Sequence, residues 1–289
     1  MLEPENFFNL REFKHKELFD DVRFVWEALK RLKPYIKSII IPNVAKLRRD
    51  GDVLSKTVVF FNGEVIDDGI EIEPGDAIKG TLKVHRGGNE LKGASVLYAG
   101  VVLFDDNISL GEGTVVEPGA LIKGPTMIGN NSEVRQGAYI RGNCLVGDRC
   151  VVGHTTEIKG GVMLNGAKAG HFAYIGDSIL GNNVNLGAGT KLANLKIFGS
   201  EITFKIEGQI YKTGLRKLGA IIGDRAEMGC NSVCNPGTLL GKASLVYPNI
   251  TVPGGFFPNN SLIRIKTKNA VTVRRHKLKM GPKNENVEN

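Results

Sequence analysis

The sequence predicts an all-β fold, a parallel β-helix of the hexapeptide-repeat type with a small α/β N-terminal region and an inserted hairpin loop. Three observations lead to this fold class. Aliphatic residues recur every six positions through the middle of the chain, 37 of 289 residues are glycine, and aromatic residues make up only 7%. A short repeat that is rich in turn-forming glycine is typical of a β-solenoid and not of a helical bundle.

Nine consecutive hexads start at Leu110, and each one opens with an aliphatic residue. The leading residues are Leu110, Val116, Ile122, Ile128, Val134, Ile140, Val146, Val152 and Ile158. Small residues such as Ala120 and Cys144 stand four positions after the leading residue. Three hexads make one triangular coil, in which leading and small side chains point inward and Gly, Asn and Asp form the corners. Successive coils then stack at the inter-strand spacing, about 4.8 Å.

A second run of hexads follows in a different phase. Its leading residues are Leu180, Leu186, Leu192, Ile222, Met228, Cys234, Leu240 and Val246. Units of five, six and five residues, at 164–168, 169–174 and 175–179, account for the phase change, and the middle unit contains His171. Local rules of a fold are broken most often at functional sites, so this irregularity makes His171 a candidate site residue.

Three regions are predicted along the chain. Residues 1–70 form an N-terminal helix-plus-hairpin region, residues 71–255 form the β-helix, and residues 256–289 form a C-terminal basic segment and tail. The β-helix is placed from residue 71 because residues 72–82 already resemble hexads. Residues at about 195–220 interrupt the repeat and alternate like a β-hairpin, which predicts a loop insertion. Insertions in solenoids usually lie on the binding face.

The N-terminal region carries two local signals. Residues 15–36 have apolar side chains at helical spacing, which predicts one amphipathic helix that ends near Pro34. Asn62-Gly63 stands between two short apolar runs, which predicts the turn of a β-hairpin. Neither signal indicates a chemical role for this region.

The composition limits the classes of partner. A net charge of +8 at pH 7 indicates an anionic partner such as a phosphorylated small molecule. The basic C-terminal segment lacks interleaved aromatic residues, so we expect no nucleic-acid partner. The start of the chain lacks the pattern of a signal peptide, and no apolar run approaches the roughly 20 residues that cross a membrane. We therefore expect a cytoplasmic protein without a membrane partner.

The cysteines indicate neither a zinc site nor a disulfide framework. They are Cys144, Cys150, Cys230 and Cys234. Their spacing does not match structural zinc sites, and they are too few to staple a chain of this length. We expect free thiols, with Cys144 and Cys150 at small interior positions of the hexads.

Folding the hexads into a triangle brings chemically useful side chains to one edge, within on the order of 10 Å. The set is Arg135, His154 and His171 on one side, Lys159 and Asn194 on the next side, and Tyr174 at the corner between them. Arginine and lysine supply positive charge for a phosphate, and an imidazole takes a proton at neutral pH. Asn185 falls at the opposite corner, where it would serve the cleft of a neighbouring subunit. The same spacing also fits a purely structural interpretation, with a histidine at a subunit contact and ordinary solvated charges.

Residues 134–195 resemble a known family of enzymes. The motifs are EIKGG, KAGHFAYIGD and NVNLGAGTKLANL, and the resemblance extends over about residues 110–252. They resemble the acetyltransferase half of bifunctional enzymes that join a sugar-1-phosphate nucleotidyltransferase domain to a glucosamine-1-phosphate N-acetyltransferase. The resemblance implies a left-handed β-helix that assembles as a homotrimer, with active sites between neighbouring helices. It also implies acetyl-CoA, or another acyl-CoA, as co-substrate and no required metal.

The resemblance also assigns roles to individual residues. It implies His171 as the general base and Asn194 as the residue that supports the base and the substrate. The sugar-phosphate ligands that it implies are Arg135, Lys159, Tyr174 and Asn185. Ala188 matches a backbone contact to acetyl-CoA, and Cys230 falls near the position of the thioester carbonyl.

The sequence departs from the family pattern in several places. Gln136 replaces the usual proline after Arg135, and His154 stands where a small polar residue is common. The loop that brings a further lysine in the family is longer here. Its candidate lysines are Lys196, Lys205 and Lys217. The N-terminal Gly-rich nucleotide loop with its following lysine has no counterpart, so we do not expect nucleotidyltransferase activity.

The sequence therefore predicts a CoA-dependent acyltransferase, and specifically an N-acetyltransferase for an amino-sugar phosphate or a nucleotide-linked amino sugar. A histidine removes a proton from the acceptor nitrogen, because an ammonium cannot attack a thioester. Two alternatives remain at this point. One is a zinc enzyme similar to β-helix carbonic anhydrases, although their close H-x4-H pair is absent from this sequence. The other is a non-catalytic trimeric module that binds sugar nucleotides or has a regulatory role.

Overall fold

The computed structural model describes residues 1–265, and the central body of this part is a parallel β-helix. Its three walls are one sheet of eleven strands and two sheets of eight strands. A three-stranded and a two-stranded antiparallel sheet lie outside these walls. The predicted β-helix architecture is therefore confirmed. The predicted C-terminal segment lies outside the described residues from residue 266 onward.

The three walls are called sheet 1, sheet 2 and sheet 3. The parallel strands of sheet 1 are β6 (Ser95–Leu97), β9 (Val115–Val116), β12 (Glu133–Val134), β15 (Val151–His154), β18 (Lys168–His171), β21 (Asn185–Leu186), β26 (Glu227–Met228), β29 (Leu245–Val246) and β32 (Leu262–Ile263). Sheet 2 contains β7 (Val102–Leu103), β10 (Leu121–Ile122), β13 (Tyr139–Ile140), β16 (Glu157–Lys159), β19 (Tyr174–Gly176), β22 (Lys191–Leu192), β27 (Val233–Cys234) and β30 (Thr251–Val252). Sheet 3 contains β8 (Ile108–Leu110), β11 (Thr126–Ile128), β14 (Cys144–Val146), β17 (Val162–Met163), β20 (Ile179–Leu180), β25 (Ala220–Ile222), β28 (Thr238–Leu240) and β31 (Gly255–Phe257). The chain turns from sheet 1 to sheet 2 at the first corner and from sheet 2 to sheet 3 at the second corner.

The remaining elements lie before the coils or are inserted between them. The strands are β1 (Val58–Phe61) and β2 (Glu64–Ile66), which pair antiparallel at one end of sheet 1, then β3 (Ile70–Glu73), β4 (Lys83–Arg86) and β5 (Asn89–Glu90), and β23 (Thr203–Ile206) with β24 (Gln209–Lys212). The helices are α1 (Pro4–Phe7), α2 (Glu27–Ile39) and two 3-10 turns at Lys16–Phe19 and Ala77–Lys79.

The interior of the β-helix is a continuous aliphatic core. The side chains that stack in register along the middle of sheet 2, each fully buried, are Ile122, Ile140, Ile158, Ile175 and Leu192. Burying a side chain of this size stabilises a fold by about 1.5–3 kcal/mol. The hexad rhythm of the sequence therefore reflects one interior position that every coil fills with an aliphatic residue.

Three of the four cysteines lie in this core. Cys144, Cys150 and Cys234 are buried free thiols, and burial raises the pKa of the Cys144 thiol to about 11. The pKa values of the Cys150 and Cys234 thiols rise to about 12 for the same reason. Cys230 is free and exposed. The prediction of free thiols with Cys144 and Cys150 in the interior is confirmed.

The phase change between the two runs of hexads lies at a different residue from the one predicted. Met163 pairs with Val146 on one side and with Leu180 on the other, so Met163 and not Leu164 fills the interior position. Each of these two steps is 17 residues, whereas Ile128 and Val146 are 18 residues apart in the preceding coil. The predicted short unit at 164–168 is therefore wrong.

The two short units are residues 158–162 and 175–179, and both turn the second corner. They follow directly on Ile158 and Ile175, the interior residues of two adjacent coils of sheet 2. His171 lies in a unit of ordinary length at the first corner. The missing residues consequently shorten the second corner in two adjacent coils and leave the corner of His171 unchanged.

The N-terminal region differs from the single predicted helix. The chain makes a 3-10 turn at Lys16–Phe19, and Asp21 then takes a left-handed conformation with φ of 54°, which interrupts the helix. Helix α2 continues through Pro34 to Ile39. A proline inside a helix leaves the carbonyl four residues earlier without its amide partner. Lys30 at that position is exposed, so water can take the place of the missing donor.

The predicted hairpins are confirmed, but the predicted start of the β-helix is wrong. Asn62 and Gly63 take positive φ values of 51° and 76° between β1 and β2. Residues 70–90, however, form an antiparallel sheet, because the alternation of Ile70–Glu73 is that of an ordinary two-sided strand. The parallel strands run from Ser95 to Ile263, so the β-helix begins later than the predicted residue 71 and ends later than the predicted residue 255.

The N-terminal helices and the inserted hairpin cover the outer face of sheet 3. The apolar residues that sheet 3 presents to them include Leu145, Val162, Ile179, Ile221 and Leu239. The rings of Trp26 and Phe204 meet edge to face with centroids 5.0 Å apart, which joins the N-terminal region to β23. Among residues 1–265, no helix combines the length and the apolar character that a bilayer-spanning helix requires.

The core predicts a large cost for shortening an interior side chain. Ile158→Ala should lower the free energy of unfolding by about 2–5 kcal/mol, because the side chain is fully buried between two coils and leaves a cavity. Ile41→Ala is the matched control, since Ile41 is 79% exposed and should change stability by less than about 0.5 kcal/mol. Denaturant unfolding followed by circular dichroism measures both; equal effects would contradict the inward orientation of Ile158.

Candidate active site

One residue from each of five consecutive coils forms a column at the first corner. The corner column consists of Gln136, His154, His171, Ala188 and Cys230. The carbonyl of each member accepts a hydrogen bond from an amide of the next coil, such as Phe172 N–H to His154 at 2.9 Å and Gly189 N–H to His171 at 3.0 Å. The predicted base and both predicted contacts to the acyl donor therefore lie along one corner, about 4.8 Å apart per coil.

The glycine before His154 lets the strands of His154 and His171 pair directly. Strands β15 and β18 are each four residues long and end in Gly-His, and the two histidines are partners in register. A Cβ on Gly153 would lie 1.9 Å from the carbonyl oxygen of Gly170, so no larger residue fits at Gly153. The repeated Gly-His dipeptide thus brings both imidazoles to the same corner.

The His171 side chain is exposed at this corner. Phe172 follows it with a positive φ of 53° and an exposed ring. The Phe172 ring centroid lies 6.2 Å from that of His171 and 5.2 Å from that of His154. An aromatic side chain in solvent contact thus lies against both histidines.

A second group of polar side chains forms the Asp177 cluster at the second corner. Its members are Lys159, Tyr174, Asp177 and Asn194. Lys159 Nζ lies 3.1 Å from Asp177 Oδ2, and the Asn194 amide donates to the same carboxylate. Tyr174 Oη donates to Asn194 Oδ1 at 3.4 Å. Three of the predicted site residues are therefore brought together, and a carboxylate joins them.

Glycine also makes this cluster compact. A Cβ on Gly176 would lie 2.6 Å from Tyr174 Oη and 2.8 Å from Asn194 Nδ2, so glycine leaves the space that these side chains fill. Burial raises the pKa of Tyr174, and the negative charge of Glu157 raises it further. Tyr174 is therefore held as a neutral hydrogen-bond donor beside Asn194.

The corner column and the Asp177 cluster lie at the two ends of one strand. His171 precedes Tyr174 by three residues, and Asp177 follows Tyr174 by three residues, with β19 between the corners. At about 3.3 Å per residue, the six residues from His171 to Asp177 span at most about 20 Å across the outer face of sheet 2. The structure thus does not bring His171 into the Asp177 cluster, but it places both groups along the same face.

Arg135 lies at the first corner, next to the corner column, and already has a partner. Its guanidinium donates to Glu133 at 3.0 and 2.8 Å, and Glu133 also accepts from the amide of Ala77 at 3.0 Å. Both residues line a groove of about 560 Å³ between sheet 1 and the segment that carries β3. Arg135, the predicted phosphate ligand, therefore lies at the edge of a groove, and Glu133 partly neutralises its positive charge.

Asn185 is not brought to either group. It lies on the exposed outer side of β21, where its amide donates to Glu227 at 3.1 Å. Of the candidate lysines, Lys196 donates to the carbonyl of Glu201 at 3.0 Å, and Lys217 forms a β-bridge with Leu195 at the base of the inserted loop. Lys205 lies on β23 in the hairpin.

Sequence reasoning missed Asp177. This residue closes the motif KAGHFAYIGD, takes a positive φ of 42°, and holds both Lys159 and Asn194. The sequence signal that could have identified it is an acidic residue inside a five-residue unit, 175–179, where the other units have six residues. No group of three or more His, Cys, Asp or Glu side chains within residues 1–265 is arranged to hold a metal ion.

Comparison with known proteins identifies similar sequences. A family model described as the GMPPB C-terminal domain matches residues 122–215. A bifunctional sugar-1-phosphate nucleotidylyltransferase/acetyltransferase from Sulfurisphaera tokodaii is 38% identical over 96 residues, 33% of this chain and 24% of that protein. The bifunctional protein GlmU of Methanococcus maripaludis is 36% identical over 121 residues, 42% of this chain and 29% of that protein. The chain resembles the acetyltransferase half of these bifunctional enzymes.

The chain spans about a quarter of the length of these two relatives, 24% and 29%. Among solved structures, a UDP-N-acetylglucosamine acyltransferase from Campylobacter jejuni is 17% identical with a TM-score of 0.28, and the match covers 57% of this chain and 66% of that one. The family match at 122–215 includes Ala188 and the whole Asp177 cluster, whereas Cys230 lies beyond it. The resemblance predicted from the sequence is confirmed.

The environment of Tyr174 predicts an elevated phenol pKa. The difference in ultraviolet absorbance between wild type and Tyr174→Phe during alkaline titration should show one phenol with a midpoint above 10, because burial disfavours the phenolate. Since the folded-state pKa is the higher one, stability from this group is present below pH 10 and is lost as the pH rises above it. Tyr174→Phe should therefore lose less unfolding free energy above pH 10. A midpoint at or below 10 would contradict the buried position.

Proposed function

We propose that this protein is a CoA-dependent N-acetyltransferase that acts on an amino-sugar phosphate or a nucleotide-linked amino sugar. The observation that carries the proposal is the corner column, in which the exposed imidazole of His171 is followed by Ala188 and Cys230 in the next two coils. A thioester that lies along this corner meets the base and the backbone amides in sequence. The similarity to enzymes described as acetyltransferases supports the same reaction.

His171 is the general base in this proposal. It removes a proton from the acceptor nitrogen as that nitrogen forms a bond with the thioester carbonyl carbon. Backbone N–H groups near Ala188 or Cys230 stabilise the oxyanion that develops on the carbonyl oxygen. The carbon–sulfur bond then breaks, and the CoA thiolate, with a reference pKa of about 8.5, leaves with little assistance.

The Asp177 cluster binds the acceptor sugar. Asp177 holds the Lys159 ammonium and the Asn194 amide in fixed positions, so their remaining donors and the Tyr174 hydroxyl are directed at one place. These groups suit sugar hydroxyls and a phosphate. Sheet 2 separates Asn194 from the corner column. Asn194 therefore acts on the base indirectly, by holding a substrate that reaches from one corner to the other.

The site lies between copies of the chain in a homotrimer. The outer face of sheet 3 is covered by residues of the same chain, whereas Tyr174 and Lys191 on sheet 2 and Asn185 on sheet 1 face outward. Asn185 is distant from the Asp177 cluster of its own chain. A neighbouring copy packed on the open faces would bring its Asn185 to the substrate, in agreement with the role that the resemblance implies.

The base is tested by thiol release from acetyl-CoA with a panel of amino sugars, amino-sugar phosphates and nucleotide-linked amino sugars. We expect wild-type turnover on at least one acceptor and a loss of about 10²- to 10⁴-fold in kcat/KM for His171→Gln. His85→Gln is the matched control, because His85 lies on β4 outside the coils and should leave the rate unchanged. Absence of thiol release with every acceptor, or equal rates for His171→Gln and wild type, would overturn the proposed reaction. Retained sugar-nucleotide binding without turnover would favour a non-catalytic module.

Lys159 is tested by its effect on acceptor binding. Lys159→Gln should raise KM for the phosphorylated acceptor by about tenfold or more, because a charge-assisted contact contributes roughly 1.5–3 kcal/mol. KM for acetyl-CoA should stay within about twofold. The control Lys168→Gln removes an exposed lysine of β18 outside the Asp177 cluster. Steady-state kinetics with each substrate varied in turn distinguishes the two lysines; an unchanged acceptor KM in Lys159→Gln rules out phosphate recognition by this residue.

A further inference from the structure

His154 makes a hydrogen bond to the backbone and has no role in the reaction proposed above. Its Nδ1 lies 3.0 Å from the carbonyl oxygen of Gln136 in the preceding coil. A carbonyl oxygen only accepts hydrogen bonds, so Nδ1 carries the proton of the neutral ring. The other ring nitrogen, Nε2, is consequently unprotonated and has a free lone pair. A general base requires this tautomer, and the backbone of the corner holds His154 in it.

His154 is also positioned beside the proposed base. It pairs in register with His171 one coil away, and both imidazoles pack against the ring of Phe172. The His154 ring is partly buried, whereas His171 is exposed. The corner column thus presents two imidazoles about 4.8 Å apart along the β-helix axis.

The chemistry of amine acylation requires two proton acceptors. At a pH below the pKa of its amino group, an amino sugar is an ammonium ion whose nitrogen carries three protons. In the amide product the same nitrogen carries one proton. The nitrogen therefore releases two protons. One ends on the departing CoA sulfur, and the other passes to solvent. A single imidazole holds only one of them at a time.

We propose that His154 is a second general base that converts the bound ammonium into the reactive amine. His154 Nε2 takes the first proton and releases it to solvent from the imidazolium. His171 takes the second proton as the carbon–nitrogen bond forms and returns it to the thiolate when the carbon–sulfur bond breaks. This inference rests on the proposed acyl transfer and extends it to the protonation state of the acceptor.

The carboxylates and the arginine around His154 already have other partners. Those on the adjoining strands and corner are Glu117, Glu133, Arg135, Glu157, Lys168 and His171. Glu133 pairs with Arg135, Glu157 pairs with Arg141, and Glu117 accepts from the amide of Gln136. His171 is the titratable side chain of the column that lies next to His154, so the two histidines form the proton-accepting pair.

The test is the pH dependence of kcat/KM for His154→Gln, with the acceptor on which the wild type turns over. Glutamine fits this column, because Gln136 occupies it one coil earlier. The variant should react only with acceptor that arrives as free amine. With an amine pKa near 7.7, its defect should be about tenfold to a hundredfold at pH 6 and should shrink about tenfold per pH unit. Above the pKa of the amine, wild type and variant should be equal, whereas the defect of His171→Gln should persist at every pH.

The outcomes separate this inference from the proposed function. A His154→Gln defect that is absent at pH 6, or that stays constant with pH, overturns the role of His154 while the acyltransferase stands. Absence of wild-type thiol release overturns both. A readout independent of activity is long-range ¹H–¹⁵N NMR of the neutral His154 ring, which should show the Nδ1-protonated tautomer. An Nε2-protonated ring overturns the inference.

Discussion

The hydrogen bonds between consecutive coils are the interaction on which the rest of this molecule depends. Parallel pairing fixes each strand residue against a partner in the next coil, 17 or 18 positions away through the middle of the β-helix, as Val134 pairs with Val152 and Val152 with Ala169. A side chain therefore acquires its neighbours from its place in the coil and not from its neighbours in sequence. The same register that fills the core with aliphatic residues aligns His154 with His171 on the outside. Stability and chemistry thus depend on one pattern of backbone pairing.

The chain itself leaves only part of the β-helix surface open. Apolar side chains such as Leu145 and Ile221 point outward from sheet 3, and the N-terminal region and the inserted hairpin bury them. Sheets 1 and 2 carry polar or charged outward residues, among them Lys168, Glu157 and Lys191. The residues before the repeat also pack on sheet 1, where Ala77 and Val84 share a buried cluster with Val115, so they are structural partners of two walls. The second corner, which carries the Asp177 cluster, lies between the covered sheet 3 and sheet 2.

Periodicity in the sequence was sufficient to predict the coils and to place Lys159, Tyr174 and Asn194 near each other, because register follows directly from the repeat. It placed the short unit at 175–179 correctly and misplaced the other one, since Met163 and Leu164 are both apolar and only pairing distinguishes them. It also missed Asp177, whose role comes from side-chain contacts across two coils. The early start assigned to the β-helix failed for a related reason, because short alternating segments satisfy both an antiparallel sheet and a hexad pattern.

The two short units at the second corner have a broader consequence. Each removes one residue from the outside of a bend, while Ile158, Ile175 and Leu180 keep their interior places. Deletions at a corner are therefore compatible with an intact core, and they draw polar side chains of adjacent coils toward each other. A solenoid of this kind can evolve a ligand-binding surface by losing single residues at its edges, in coils that otherwise keep the same cross-section. Length variation at the corners is then a source of new specificity that leaves the scaffold unchanged.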